Sequence, residues 1–460
     1  MKRTILKIIF FVFLIKVCGC ANQDPPPGGP DDKSPPVVLK IYPANETLNF
    51  KDNKITIEFD EYIERRSFMD AFFITPKPDS EIKFNFGGKD VEIEFPGGFK
   101  PNTTYNVTIT KDLRDVRGNN SLNEPIVIAF STGSRIDKGS ISGRVSPPSN
   151  DVVSIFCYNL RTHNPDSLDP SKVTPDYISQ TGKEGTYIFS NLPSSEFRFF
   201  AIIDKDRNSL YDKDFEKIAV TYQDFIISDS SKVDGANFLI EDLSPVIGSR
   251  EFLELLKPDS AQRVFSSIQN NQENIANVEN FYFYFRNNTL TRFDIADKLT
   301  LKDTAGNTIR IIYNWYSDTL LQIIPAEPLR FNTIYRFNAV LGTYNYTLNF
   351  KTASESRTGK ILGTINSKQE IASNVILNLI ESSSRILIFK QSKPPDQKQF
   401  EFRAIPVGEY RLFAFIDTDN DDRFNYGSAF PFAPSERFVY YEPLLSVKPN
   451  WTIDNVFVNF

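Results

Sequence analysis

The fold is decided by the stretch YIFSNLPSSEFRFFAIIDKD, residues 187–206. It contains the aromatic run Tyr187-Ile188-Phe189, then Leu192-Pro193, and then a run with apolar residues at every second position, Phe197, Phe199, Ala201 and Ile203. Alternation with a period of two is typical of β-strands. Nine residues of this stretch recur at constant spacing near the C-terminus: Phe402, Pro406, Glu409, Arg411, Phe413, Ala414, Ile416, Asp417 and Asp419 repeat Phe189, Pro193, Glu196, Arg198, Phe200, Ala201, Ile203, Asp204 and Asp206. A repeat that keeps its register through strand and turn predicts two copies of one β module.

A second repeat surrounds the first. The run Phe331 to Tyr335 echoes Pro101 to Tyr105, and Phe350-Lys351-Thr352 echoes Phe130-Ser131-Thr132. Further matches pair Gly359 and Gly363 with Gly139 and Gly143. The composition agrees, because 41 Phe and 19 Tyr favour strands. We therefore predict an all-β chain, a tandem array of four β-sandwich modules that forms a duplicated pair.

The same patterns predict where the modules begin and end. Residues 1–19 are predicted as a signal peptide and 20–36 as a tether rich in Pro, Gly and Asp. The four modules are then assigned to 37–134, 135–242, 243–354 and 355–460. The third is the least regular, because Ser249 to Asn280 has weak periodicity and suits a helix or a long loop.

The N-terminus has the pattern of an export signal. Basic residues precede the apolar run Ile8 to Ile15, which is too short to span a bilayer core of about 30 Å. The run ends in Val17-Cys18-Gly19-Cys20, which resembles the lipobox of bacterial lipoproteins. That resemblance implies a lipid on Cys20, which becomes the new N-terminus; a plain cleaved secretory signal is the alternative.

The tether suggests a compartment. The segment Ala21 to Pro36 resembles those that follow the lipid-bearing cysteine in lipoproteins of the Bacteroidota. This implies an outer-membrane protein that is lipid-anchored on the cell surface or on the periplasmic face, and both faces stay open. After processing, Cys157 has no thiol partner beyond the lipidated Cys20, and its apolar surroundings predict a buried, inert thiol.

Two module types resemble known families. Ile57 to Glu61, the run Lys100 to Tyr105 and the closing Phe130-Ser131-Thr132 resemble the bacterial Ig-like domain first described in surface-layer proteins. The second type opens with Gly139 to Val145 and has a strand that ends in an acidic loop, and it is similar to transthyretin-like or carboxypeptidase-regulatory-like sandwiches. Both resemblances imply spacing or binding and not catalysis.

Several function classes are disfavoured by composition. The net charge is −6 with no basic block, so nucleic acid is not an expected partner. His163 is the single histidine, which leaves no His pair for zinc and one conceivable base for a nucleophile. A pair of carboxylates for glycoside hydrolysis stays open, because spatial separation decides it.

Two acidic loops are the candidate metal site. Oxygen-bearing side chains stand at offsets 1, 3, 5 and 9, which is the ligand order of an EF-hand-like loop around Ca²⁺. Both loops depart from that pattern: Ser209 and Asp422 replace Gly, and Phe215 and Ser428 replace the bidentate Glu. The alternative is a turn in which these side chains bond their own backbone. The candidate ligands are Asp204, Asp206, Asn208 and Asp212 in the first loop and Asp417, Asp419, Asp421 and Asn425 in the second.

An aromatic stretch near the C-terminus is the candidate binding surface. Its rings could stack on a glycan or anchor a protein, and packing inside the last module is the alternative. The residues are Phe430, Phe432, Tyr440, Tyr441 and Trp451.

Together these features predict a membrane-anchored, exported lipoprotein that acts as a non-catalytic binding or scaffold subunit. A protein partner in the outer membrane is the first expectation, because several modules on one anchor suit bridging. Glycan capture is the second expectation. A carboxylate-dependent glycoside hydrolase is the third.

We expect Cys20→Ser to abolish lipidation and to move the protein from the detergent phase to the aqueous phase on detergent phase separation. Cys18→Ser is the matched control and should leave both properties unchanged, because only the last cysteine of the lipobox accepts the lipid. Mass spectrometry of the mature N-terminus reads the outcome. An unmodified leader still attached to the wild-type chain would contradict the prediction.

Overall fold

A computed structural model describes residues 31–460 except 80, 150, 183, 242–251, 254–255, 257–263, 279, 286–297, 316, 318, 342–343 and 384. The predicted signal peptide, Cys20 and parts of Ser249 to Asn280 therefore lie outside the described residues. The described chain is nearly all β and forms tandem β-sandwiches, which confirms the predicted fold class. It divides into two compact units, one reaching residue 135 without 75–77, the other made of 75–77 and 136–460.

The first sandwich packs a sheet of order β1-β2-β5-β4 on a sheet of order β3-β6-β7. Alternate residues of β2, among them Ile55, Ile57 and Phe59, are fully buried between the sheets. A short helix, α1, begins after Glu64, whose carboxylate accepts the backbone N–H groups of Arg66 and Ser67. The elements are β1 (Val38–Tyr42), β2 (Lys54–Phe59), α1 (Arg65–Ala71), β3 (Phe72–Thr75), β4 (Lys83–Phe86), β5 (Asp90–Glu94), β6 (Thr104–Ile109) and β7 (Ile126–Ser131).

The second sandwich is built around two long strands, β8 and β12. One sheet has the order β10-β9-β12-β13, with β14 also pairing β12, and the other has the order β11-β8-β15, with β16 also pairing β8. The strands are β8 (Gly139–Ser146), β9 (Ser154–Asn159), β10 (Tyr177–Gln180), β11 (Thr186–Leu192), β12 (Ser195–Ile202), β13 (Ile218–Val220), β14 (Phe225–Ile227), β15 (Lys232–Val233) and β16 (Phe238–Leu239).

The third sandwich has sheets of order β17-β19-β23-β22 and β18-β25-β24-β20-β21. The strands are β17 (Val264–Ser266), β18 (Gln272–Ile275), β19 (Phe281–Phe285), β20 (Leu299–Asp303), β21 (Thr308–Ile309), β22 (Ile311–Trp315), β23 (Leu320–Pro325), β24 (Ile334–Leu341) and β25 (Tyr344–Thr352). A 3₁₀ turn, Glu355–Arg357, leads into the fourth sandwich.

The fourth sandwich repeats the strand order of the second. Its sheets are β29-β26-β33 and β28-β27-β30-β31, with β32 also pairing β30. The strands are β26 (Thr358–Asn366), β27 (Asn374–Glu381), β28 (Leu387–Lys393), β29 (Gln399–Pro406), β30 (Gly408–Asp417), β31 (Phe438–Tyr440), β32 (Leu445–Val447) and β33 (Thr452–Asn459).

The first and third sandwiches each contain the same type of hydrogen-bonded corner. The Tyr105 hydroxyl accepts the Lys100 N–H at 2.8 Å, and the Thr132 hydroxyl donates to the Lys100 carbonyl at 2.7 Å. In the third sandwich Tyr335, Thr352 and Arg330 make the same bonds at 2.9 and 2.6 Å. The repeated residues therefore recur because they close the same corner around a buried tyrosine.

The repeated glycines have a steric cause. A Cβ added to Gly143 would overlap the carbonyl of Ala236, and one added to Gly363 would overlap the carbonyl of Val456. In both sandwiches the glycine lies on the central strand where a parallel neighbour passes closely. Only glycine permits that approach.

The second and fourth sandwiches also pack on each other. Phe156, Tyr158 and Phe200 lie on the outer face of the second sandwich's larger sheet and are fully buried, because the loop that carries Ala429 and Phe432 covers them. A second cluster joins Leu239 of β16 to the outer face of β27 and β30. Strands β12 and β30 are thus covered on both faces, which accounts for their nearly continuous apolar runs.

Candidate functional site

Both acidic loops follow the central strand of their sandwich. The first begins at Asp204, two residues after the end of β12, and ends where β13 returns to the sheet. The second begins at Asp417, the last residue of β30, and ends where β31 returns. The edge of a well-packed sheet therefore positions the first carboxylate of each loop.

In the first loop the structure brings together Asp204, Asp206 and Glu216. One carboxylate oxygen of each lies within 4.8 Å of the others. Glu216 is buried, and its two oxygens accept the N–H groups of Lys205 and Asp212, both at 2.8 Å. Glu216 thereby fixes both ends of the loop.

The second loop has the same arrangement. Asp417, Asp419 and Glu436 place carboxylate oxygens within 4.8 Å of one another. Glu436 is buried and accepts the N–H groups of Thr418 at 2.6 Å and Asn425 at 3.1 Å. These are the positions equivalent to Lys205 and Asp212.

The two loops share an unusual backbone conformation. Ser209 and Asp422 have φ angles of 62° and 59°, in the left-handed region where the calcium-loop pattern places glycine. Their N–H groups donate to Asp204 at 3.1 Å and to Asp417 at 3.2 Å. The loops therefore take the turn that glycine would normally supply, and a carboxylate holds it.

Negative charge accumulates in both loops. Burial raises the pKa of Asp204, and the neighbouring Glu216 and Asp206 raise it further, against a hydrogen bond from Ser209 that lowers it. Burial likewise raises the pKa of Glu436, although hydrogen bonds from Thr418 and Asn425 lower it. The Oδ1 atom of Asp204 is buried without a hydrogen-bond partner. Hard oxygen ligands with an unpaired buried atom fit a divalent cation such as Ca²⁺.

All eight predicted ligands also accept N–H groups from the backbone of their own loop. Asn208 accepts the Leu210 N–H at 2.6 Å, and Asp421 accepts the Arg423 N–H at 2.6 Å. Asp212 likewise accepts the Asp214 N–H at 3.1 Å, and the Asn425 side-chain oxygen accepts the Gly427 N–H at 2.9 Å. These contacts are the backbone bonds of the alternative turn interpretation.

Sequence reasoning missed Glu216 and Glu436. The calcium-loop pattern directed attention to Phe215 and Ser428, whereas Glu216 stands one residue later. Glu436 is displaced further because the fourth sandwich carries a longer loop at this point. A search for any glutamate just before the returning strand would have found both, since each precedes β13 or β31 by two residues.

The five predicted aromatic residues lie in different surroundings. Phe432 packs between the second and fourth sandwiches, while Phe430 is 39% exposed beside Lys172 and Lys213. In the fourth sandwich Tyr440 lies against the Arg411 guanidinium, and Tyr441 packs on the core. Trp451 is 62% exposed, with the Lys448 ammonium 5.0 Å from its ring.

Arg198 is the polar centre of the contact between the two sandwiches. Its guanidinium makes two hydrogen bonds to Asp224, at 2.9 and 2.8 Å, and a third to the Pro165 carbonyl at 2.7 Å. The Phe432 ring covers it, with 3.6 Å between the guanidinium carbon and the ring centroid. Arg198 is 4% exposed. We call this arrangement of Arg198, Asp224 and Phe432 the clasp.

The clasp and the second acidic loop belong to one segment. The Ser435 N–H donates to the carbonyl of the fully buried Thr221 at 3.1 Å, next to Glu436. The loop that gathers Asp417 and Glu436 is therefore the loop that covers the second sandwich.

His163 and Cys157, the candidate base and nucleophile, make structural contacts within the second sandwich. His163 Nε2 lies 3.0 Å from Asp176, whose carboxylate also accepts the Asn159 N–H at 2.8 Å. The Tyr158 ring contacts the imidazole edge to face. Cys157 is fully buried, and burial raises the pKa of its thiol well above the usual value, so it has little thiolate character.

Comparison with known proteins identifies the first sandwich. Residues 32–132 match the bacterial Ig-like domain family, as the sequence predicts for this segment. No curated protein matches the chain in sequence. Among the described residues no helix has the length and apolar character that crossing a membrane requires.

Solved structures that match the chain include the following three. An L,D-transpeptidase from Mycobacterium smegmatis is 13% identical over 32% of this chain and 74% of its own, with a TM-score of 0.17. The major pilin subunit BcpA of Bacillus cereus is 11% identical over 70% of this chain and 99% of its own, with a TM-score of 0.17. Native alpha-2-macroglobulin of Escherichia coli is 9% identical over 83% of this chain and 33% of its own, with a TM-score of 0.17. The chain spans about a third of the macroglobulin's length.

We expect Ca²⁺ to raise the melting temperature of the chelator-treated protein. At a concentration one hundred times the dissociation constant, binding to the folded state adds about 2.7 kcal/mol. The double variant Glu216→Gln with Glu436→Gln should lose the shift, because each triad then lacks one carboxylate. Asp214→Asn, which removes an exposed acid of the same loop, is the control and should keep it. No shift in the wild type at millimolar Ca²⁺ would leave the loops as self-bonded turns.

We expect Phe432→Ala to loosen the contact between the second and fourth sandwiches by about 1–3 kcal/mol, because it uncovers Arg198 and Phe200. Amide hydrogen exchange in β9 and β12 should accelerate by roughly 5- to 140-fold, at about 1.4 kcal/mol for each factor of ten. Phe430→Ala alters the same loop at a more exposed ring and should change exchange by less than about threefold. Equal effects of the two variants would contradict the assignment of the clasp.

Proposed function

We propose that this protein is an exported lipoprotein, anchored through Cys20 to the outer membrane, that works as a non-catalytic scaffold or binding subunit of a protein complex. The clasp is the observation that supports this best. It joins two sandwiches through a buried arginine, which sets their relative arrangement before any partner arrives. A pre-organised surface loses less conformational entropy on binding than a flexible chain of modules.

The acidic loops support a structural role in that scaffold. Each glutamate uses both carboxylate oxygens to accept backbone N–H groups. A glycosidase instead needs one protonated and one ionised carboxyl group facing a substrate cleft. Ca²⁺ bound by Asp204, Asp206 and Glu216, and by Asp417, Asp419 and Glu436, would neutralise the gathered charge and stiffen the loops.

A glycan is the second candidate ligand, and Trp451 is the observation that favours it. Its indole is 62% exposed, more than Phe430, and it lies at the start of β33 beside Lys448. An exposed indole offers a flat face for the apolar side of a sugar ring.

Crosslinking in intact cells, followed by identification of the captured neighbours by mass spectrometry, tests the scaffold proposal. We expect an outer-membrane protein to be captured by the wild type and by Trp451→Ala, and to be lost with Cys20→Ser. Retention on immobilised polysaccharide that disappears with Trp451→Ala, without a captured protein, would replace the scaffold with glycan binding. Turnover of a glycoside by the purified chain would overturn both.

A further inference from the structure

The end of the first sandwich at which the described chain begins carries four exposed apolar side chains. They are 55–62% exposed, although most apolar residues of β2, β5 and β6 are buried. We call them the N-terminal patch: Val37, Leu39, Tyr62 and Val116.

Backbone hydrogen bonds place three chain segments of this patch side by side. The Val37 carbonyl accepts the Asp60 N–H at 3.0 Å, and the Tyr62 carbonyl accepts the Val116 N–H at 3.0 Å. Asp60 and Tyr62 are two residues apart, so the segments that carry Val37, Tyr62 and Val116 adjoin. The patch residues therefore lie on adjoining backbone segments, with Leu39 two residues after Val37.

The segment that presents Val116 is firmly held. Asp115 is 1% exposed, and its carboxylate accepts the Gly118 N–H and the Asn120 side-chain amide, both at 2.7 Å. The Asn120 amide also donates to the carbonyls of Asp32 and Ser34, at 3.2 and 3.1 Å. Val116 is therefore exposed on a loop that hydrogen bonds hold in place. The segment that contains Asp32 and Ser34, which leads back towards Cys20, lies beside this loop.

We infer that the N-terminal patch rests on the lipid bilayer, so that the first sandwich sits on the membrane surface. The inference depends on the proposed anchor at Cys20. From there to Val37 the chain reaches at most roughly 60 Å, at 3.3–3.6 Å per residue, and it arrives at this end of the sandwich. Tethering keeps the local lipid concentration high, so a weak apolar contact suffices.

The charges close to the patch favour a neutral lipid surface over an anionic one. In sequence, Lys33, Arg114 and Arg117 lie near the patch residues, and so do Asp60 and Glu61. Attraction to anionic lipid is therefore offset, and apolar burial drives the contact.

Fluorescence quenching by brominated lipid tests the inference. In the mature chain with Cys157→Ala, Trp315→Phe and Trp451→Phe, the Cys20 thiol is coupled to a maleimide lipid in phosphatidylcholine vesicles, so tethering does not require natural lipidation. The reporter Val116→Trp should lose at least half of its emission when brominated phosphatidylcholine is included. Leu48→Trp is the matched control, because Leu48 is also exposed but adjoins the segment near Gly133, and its emission should change by less than a tenth.

The outcomes separate docking from anchoring. An unquenched Val116→Trp in tethered protein overturns docking and leaves the anchor intact. Quenching here, with no lipid found on natural Cys20, supports the patch and sinks the proposed anchor. Shielding of the Val116→Trp reporter that grows with protein density without brominated-lipid quenching would show self-association and overturn the inference.

Discussion

The contacts of the buried Arg198 guanidinium are the interactions on which the unit formed by residues 75–77 and 136–460 depends. A guanidinium that is 4% exposed is costly to bury unless its donors are satisfied, and here Asp224 and the Pro165 carbonyl satisfy three of them. Phe432, from the fourth sandwich, covers the remaining face. The buried charge of the second sandwich is therefore shielded by Phe432, a residue more than two hundred positions later in the sequence.

The clasp shows how the two copies of the repeat differ in role. The second and fourth sandwiches share their strand order, their steric glycines and their acidic loops. They differ where the fourth carries the longer loop that holds Phe432 and ends at Glu436. One copy thus supplies the apolar sheet face and the other supplies the segment that covers it, so a duplicated fold is used asymmetrically.

Placing carboxylates in that same loop links charge to packing. Glu436 is buried beside Ser435, which bonds across to Thr221, so the acidic triad and the contact between sandwiches share backbone. In the first loop Glu216 immediately precedes Lys217 and β13, which pairs β12. A cation held at either loop would therefore brace the sheet that carries Arg198.

Much of this protein was readable in the order of its residues. Alternation set the strands, since burying one face demands a period of two. The runs that end in Tyr105 and Tyr335 marked the repeated corner, because the hydrogen bond to each tyrosine hydroxyl spans only five residues. The acidic loops were visible for the same reason. Only the tertiary structure showed that the glutamate before each returning strand holds its acidic loop, because the distance between the loop and that glutamate differs in the two copies. The contact of Phe432 with Arg198 was likewise decided only by tertiary structure, because it forms between two sandwiches and no local spacing encodes it.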